Sequence, residues 1–324
     1  MGERDDAGSA WPVPWEDVAG DRGGVSAALQ YVLFRGVVGL GSRTGAGGRR
    51  TLAALLARAA RALDRRHSDA ARAFIAQALG GAADTARRER LVLAAWRHLF
   101  ELTLEDARFN DVVLGPRLLE HFEVEMCPAA REVLERKRGG LVIVPHVGMW
   151  EAMPAIAAAL GFRPAYAVSR PPRNRPLSRH AQRERERRGY RLLHRHGAIE
   201  SLTHVVQAGG YVGLMLDQRA RGKTVLVPFF GRLAHCERAI AVLVRRLRKP
   251  VVFAACYRTA TPFRYRATFP RVIQPEEFAG ASPEAVASEI NREQERMILA
   301  APEQYFWLHD RYRNAPQAHD GTTI

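Results

Sequence analysis

At 324 residues, 47% of them hydrophobic and 26% charged, the chain has an ordinary globular composition with room for a large core, in one big domain or two small ones. The net charge of +15 is carried almost wholly by arginine, since Lys137, Lys223 and Lys249 are the lysines among 49 basic residues. Polyanions and anionic lipid surfaces are natural partners for so many planar forks, with genome base composition as the alternative source of the bias. Cys127, Cys236 and Cys256 are scattered without a CxxC pair, which excludes a disulfide frame and a closely spaced zinc site and leaves reduced, cytosol-facing thiols.

Residues 1–24 mix Gly, Asp, Glu and Pro without a period and read as a flexible arm. The stretch 25–40, VSAALQYVLFRGVVGL, is short and is interrupted by Arg35, whereas a spanning helix wants about 20 apolar residues. A helix lying in the membrane interface is preferred to a core helix, because Arg35, Arg43, Arg49 and Arg50 would then meet lipid phosphates. The basic residues lie inside and after the apolar stretch, so no cleavable signal is evident. Helical periods follow at 50–65, 69–79 and 84–104, and Pro128 to Arg138 forms a short helix ended by Gly139-Gly140.

From there the rhythm changes. Short apolar strands at 141–145, 164–168, 211–216 and 250–256 alternate with helices at 150–160, 176–188, 199–208 and 237–248. That alternation predicts an α/β fold, a mainly parallel sheet flanked by helices, with a helical membrane-associating N-terminal part. A further strand at 264–272 is expected antiparallel at an edge, and Ser282-Pro283-Glu284 opens a last helix with a cap. The division is a flexible arm at 1–24, a helical membrane-facing part at 25–126, an α/β core at 127–315 and a polar tail at 316–324.

The most informative stretch is Val142 to Glu151. An apolar strand stops at Pro145, offers His146, turns at Gly148 and starts a helix carrying Glu151. Residues five apart on one helix point about 140° away from each other, so His146 and Glu151 meet only across a loop. Such a pair suits general-base catalysis, in which a carboxylate fixes the tautomer of a proton-accepting imidazole. Spacing alone carries little, because 11 histidines and 34 acidic residues make about one His-x4-Asp/Glu match by chance, and one is found. Arg170 follows the strand Ala165–Ser169, and Asp217-Gln218 follows the strand Tyr211–Leu216, on the same edge as His146. Polar groups at the carboxyl ends of neighbouring parallel strands are where sheet proteins hold ligands.

Other patterns are weaker. Gly222-Lys223-Thr224 lacks the first glycine of a phosphate loop, Gly39-Leu40-Gly41 lacks the third of a dinucleotide fingerprint, and G-x-S-x-G is absent. The arginines from Arg170 to Arg191 are interleaved with Glu184 and Glu186 and read mostly as a charge-paired surface. Phe229-Phe230-Gly231-Arg232 offers apolar walls and one cation for a chain with a charged head, or else core aromatics and a turn. A basic nucleic-acid binder is the rival from another class, but no binding motif or aromatic platform accompanies the charge, so no nucleic acid is expected.

Several of these residues stand in the order found in a known family. His146-x4-Glu151, Arg170 before Asn174-x-Pro176, Arg185-Glu186-Arg187-Arg188-Gly189, Asp217-Gln218, Phe229-Phe230-Gly231 and Ala301-Pro302-Glu303-Gln304-Tyr305-Phe306-Trp307-Leu308-His309 resemble the bacterial lipid A lauroyl/myristoyl acyltransferases of the lysophospholipid acyltransferase superfamily, over about residues 25–315. The resemblance implies a glycerolipid acyltransferase-like fold and transfer of a fatty acyl chain from acyl carrier protein or CoA thioester to a glycolipid hydroxyl. The work would be done at the cytoplasmic face of the inner membrane by a peripheral or monotopic protein. It implies His146 as general base with Glu151 as its orienting partner, and Arg170 and Arg185 on phosphate or oxyanion. Asp217, Gln218, Phe229, Phe230, Gly231 and Arg232 would contribute to substrate binding. No metal or redox cofactor is implied, and a basic surface suits an acidic carrier protein. The chain departs from the family at Arg35, at His235 to Ala239 and at Asp310. A lysophospholipid or other glycolipid acceptor, and an inactive lipid-binding homologue, remain the alternatives.

Overall fold

Helices α1 (Val25–Arg43), α2 (Ala46–Leu63), α3 (Arg65–Leu79) and α4 (Thr85–Val112) open the fold. The computed structural model describes residues 23–169, 172–194 and 197–316. Nearly all of the expected arm and tail therefore lies outside the described residues. Asp64 and Asp84 cap α3 and α4 by accepting from the backbone N–H of His67 and Arg87, which satisfies donors that a helix start leaves unpaired. Ala53 and Ala57 of α2 are wholly buried, and small side chains let neighbouring helices approach closely. Glu89 of α4 ties Arg61 of α2 to Arg72 of α3, and Trp96 Nε1 donates to Ser68 Oγ at 3.1 Å.

The rest of the chain builds the sheet. In order come β1 (Phe122–Met126), α5 (Pro128–Arg136), β2 (Gly140–Ile143), α6 (Met153–Leu160), β3 (Ala165–Ser169), α7 (Arg175–Arg187), β4 (Arg191–His194), α8 (Ala198–Gln207) and β5 (Tyr211–Leu214). They are followed by β6 (Thr224–Phe229), β7 (Arg232–Glu237), α9 (Arg238–Leu247), β8 (Val251–Arg258), β9 (Tyr265–Ile273) and α10 (Pro283–Leu299). Seven strands form one sheet in the order β1-β9-β8-β2-β5-β3-β4. From β8 to β4 all neighbours are parallel, while β9 is antiparallel to β8 and β1 parallel to β9.

This is the mainly parallel α/β fold read from the sequence, with three corrections. The strand at the expected edge, β9, is covered by β1, so residues 122–126 belong to the sheet and not only to the helical part. β4 pairs with β3 as the other edge. β6 and β7 form a separate antiparallel hairpin.

Both faces of the sheet are covered, as parallel sheets require. Leu141 and Ile143 of β2 enter a core with Leu202 of α8, Leu243 of α9 and Ile290 of α10. Val142 and Val144 enter the other core with Phe109 of α4, Val133 of α5 and Ile156 of α6. This is the two-residue alternation of a strand, and each such side chain stabilises the fold by about 2 kcal/mol on burial. The segments after β2, β3 and β5 emerge at one edge, where parallel strands present their carboxyl ends.

Candidate active site

His146 sits in a segment locked from both sides. Backbone hydrogen bonds join Phe306 N to His146 O (3.0 Å), Gly148 N to Gln304 O (3.0 Å) and Met149 N to Cys256 O (2.6 Å). Gly148 has a φ of +62°, and a Cβ there would lie 2.0 Å from the carbonyl oxygen of Cys256. Only glycine fits that approach. From α4, His98 lies with Nε2 3.1 Å from Gly148 O. Burial, followed by the charge of Arg258, pushes its imidazole down to about 3, so it is neutral and donates through Nε2. Arg258 is itself paired with Glu101 (2.8 Å) and Glu105 (2.7 Å) of α4, and Gln304 bonds both its N–H and its carbonyl.

Asp217 clamps the histidine. Its Oδ1 is 2.7 Å from His146 Nδ1, and its Oδ2 accepts the His146 backbone N–H at 2.8 Å. The carboxylate is fully buried. Burial alone would raise its pKa, but the charge and hydrogen bonds of His146 win and hold it below the usual range. The Tyr305 hydroxyl also faces Asp217. An ionised Asp217 fixes the proton of a neutral His146 on Nδ1 and leaves the Nε2 lone pair free. The Gln218 amide nitrogen stands 3.3 Å from Nε2, and the rings of Trp150 and Phe306 border the imidazole at 5.4 and 6.3 Å. Nearby, His309 Nε2 accepts the Arg219 backbone N–H at 2.9 Å. Burial, against the pull of Asp217, pushes His309 down to about 4 and keeps it neutral.

Glu151 has a different partner from the one expected. It sits on a single turn of 3-10 helix, Trp150–Ala152, before α6. Arg185 of α7 grips its carboxylate through Nε (3.0 Å) and Nη2 (2.6 Å). Arg188 donates to its backbone carbonyl at 3.2 Å. Burial raises the Glu151 pKa, but Arg185 and then Arg188 outweigh it and bring it to about 2. The orienting contact on His146 Nδ1 thus belongs to Asp217, because Glu151 is held by a bidentate guanidinium fork. Arg188, itself buried, is paired with Asp106 at 2.7 Å and with Asn110 at 2.7 Å.

A cleft of about 240 Å³ opens between α1, α4 and α7, bounded by Phe34, Leu99, Leu102, Trp150, Glu151, His180 and Arg185. On the other side of Glu151 and Arg185 lies a pocket of about 80 Å³, lined by Ser169, Met153, Pro154, Val168 and Leu214. It shares Val144, Met153, Pro154 and Gly213 with a smaller pocket of about 30 Å³ that ends on Ala157, Phe162 and Tyr211. Among the described residues no cluster of three His, Cys, Asp or Glu could hold a metal.

His146, Glu151, Arg185, Asp217 and Gln218 therefore come together around one edge of the sheet. Arg170 lies outside the described residues. Phe229 and Phe230 are buried against Phe74 and Trp307, Gly231 completes the β6–β7 turn, and Arg232 stacks on Tyr312 at 4.7 Å. None of these four lines the cleft or the two pockets. The sequence reading missed Trp150, His98 and Arg188. The closing stretch Gln304 to His309 turns out to be the floor of the site, through Gln304 on β8, Tyr305 on Asp217, Phe306 on His146 and His309 on Arg219.

Residues 29–314 match the sequence model of a family described as bacterial lipid A biosynthesis acyltransferase. No curated protein matches the chain.

Proposed function

The chain belongs to the bacterial lipid A biosynthesis acyltransferase family, and from that premise we propose that it transfers a fatty acyl chain from acyl carrier protein or CoA thioester to a glycolipid hydroxyl, such as that of a lipid A precursor, with His146 as general base. The observation that carries this reading is the Asp217 clamp, which holds the proton on Nδ1 and makes Nε2, now met by the Gln218 amide, the accepting nitrogen beside Trp150, a wall of the cleft.

In the proposed reaction the acceptor hydroxyl replaces the Gln218 amide at Nε2. Its proton passes to Nε2 as its oxygen attacks the thioester carbonyl, and Asp217 stabilises the imidazolium that forms. Arg185, with Nη1 3.5 Å from Ser169 Oγ and its other nitrogens on Glu151, supplies a fixed cation for the oxyanion or for an acceptor phosphate. Collapse of the tetrahedral intermediate breaks the C–S bond, and the imidazolium proton goes to the leaving thiolate. Direct attack fits because no serine or cysteine sits in a nucleophile motif of the sequence, and Cys236 and Cys256 are buried. The apolar track under Met153 and Pro154 would take the acyl chain.

The apolar α1 supports work at a membrane, proposed as the cytoplasmic face of the inner membrane. Acyl transfer into membrane lipids from carrier-protein thioester, compared with His146→Ala, tests the reading. Product should fall by about 10²-fold or more in a variant that still folds. An unaltered rate would remove His146 from the base role, and a lysophospholipid product would change the acceptor.

A further inference from the structure

Helix α1 has two unlike faces. Val25, Leu29, Val32, Leu33, Val37 and Leu40 recur at helical spacing and are all exposed, five of them by more than half. Its other face is fixed from end to end. Asn174 of α7 donates to Ala27 O at 2.9 Å. Tyr31 and Phe34 pack edge-on against His180 of α7, and Gly41 meets Leu104 of α4 so closely that a Cβ would lie 2.5 Å from it.

By length and apolarity alone α1 could cross a bilayer. A crossing helix tied along its length to α4 and α7 would drag Asp106, Arg183, Glu184 and Arg185 into hydrocarbon, where unscreened charge is costly. Lying in the interface avoids that cost and buries the apolar ridge. Charge agrees with this orientation. Arg35 of α1 and Arg183 of α7 are exposed and form no ion pair among the described residues. Both lie near His180: burial first, then these two cations against the opposite pull of Glu184, holds its imidazole below the ordinary range.

The same helix pair walls the cleft, through Phe34 of α1 and Leu177, His180 and Arg185 of α7, together with Leu99 of α4 and Trp150. We propose that α1 lies in the plane of an anionic bilayer with its Val25-to-Leu40 ridge immersed, and that the acceptor lipid enters the cleft sideways through the seam between α1 and α7, its anionic headgroup met by Arg35 and Arg183. The portal rests on the acyltransferase reading; the docking face does not.

The test uses the full chain with vesicles of phosphatidylcholine alone or mixed with phosphatidylglycerol. The protein should float with the mixed vesicles. Leu29→Asp with Leu33→Asp, at positions already exposed, should keep the fold and lower vesicle binding by about 10-fold or more. Arg35→Glu with Arg183→Glu should abolish the preference for phosphatidylglycerol. Brominated acyl chains in the vesicles should quench Trp150, judged by the part of the quenching that Trp150→Phe removes. Transfer to a vesicle-borne acceptor should drop with binding in the leucine variant, while transfer to a short-chain acceptor in detergent stays within about twofold. Unchanged flotation of the leucine variant overturns the docking face, and an unquenched Trp150 in bound protein overturns the portal. Flotation and quenching without any acyl transfer would leave the docking face standing and remove the acyltransferase reading, and with it the portal's role as the acceptor's entrance.

Discussion

Two carboxylates, Asp217 wholly buried and Glu151 partly exposed at the wall of the cleft, are put to opposite use. Asp217 spends both oxygens on one histidine, on its ring and on its backbone. Glu151 spends both on a guanidinium. Each stays ionised against burial because a cation or a donor is in place. The first arrangement selects a tautomer and so acts on a proton; the second fixes a positive charge in space and so acts on an anion. The two carboxylates thus differ in role through the partners that hold them.

The largest way to break that contrast is His146→Ala, expected to cost about 10²- to 10⁴-fold in acyl transfer with the circular dichroism unchanged. Next is Asp217→Asn. It keeps the shape and removes the charge that stabilises an imidazolium, and a loss of about 10²-fold in rate with a far smaller change in binding of either substrate is expected. Glu151→Gln should act mainly on stability. Its carboxyl is depressed from 4.5 to about 2, so its stabilisation is whole above pH 4.5 and is lost as the pH falls toward 2. Urea unfolding should show about 3 kcal/mol less stability at neutral pH in the variant, and less acid dependence in that window.

His98→Gln probes the support beneath the site. Folded His98 refuses a proton down to about 3, whereas the unfolded chain accepts one near 6.5. Stability contributed by the neutral ring therefore falls as the pH drops from 6.5 toward 3, and glutamine, still able to donate to Gly148, should flatten that slope. The smallest effect is expected for Arg232→Gln: about 0.5–1 kcal/mol of stability from the lost stacking on Tyr312, with transfer within about twofold. A large kinetic effect there would return the β6–β7 turn to the substrate site.

How much of this was legible in the sequence depends on whether local pattern or neighbour order decides. The β2 loop, its histidine and the edge shared with Asp217 could be read, because apolar strands ending in Pro145 and before Asp217 announce themselves. Which carboxylate reaches Nδ1 could not, since that follows from β5 lying directly beside β2, a tertiary fact with no local trace. β1 and β4 are short strands, partly polar in sequence, whose pairing comes from their neighbours. The β6–β7 turn was hidden by its residues. Phe230 and Gly231 adopt φ of +48° and +74°, a mirror-image turn that usually takes Asn-Gly. Phenylalanine is held there by Glu295 on its N–H and Gln77 on its carbonyl. His98, fifty residues in the chain from the Gly148 carbonyl that it meets, had only the look of a core histidine.

The central claim is that His146 and Asp217 work as one unit and Glu151 with Arg185 as another. Single-turnover acyl transfer by His146→Ala, Asp217→Asn and Glu151→Gln, and by the two doubles that contain His146→Ala, tests it directly. Asp217→Asn should add almost nothing once His146 is gone, while any loss from Glu151→Gln should multiply with it. Multiplying losses for His146 and Asp217 would contradict the account, because the aspartate would then be acting on something other than the histidine it clamps.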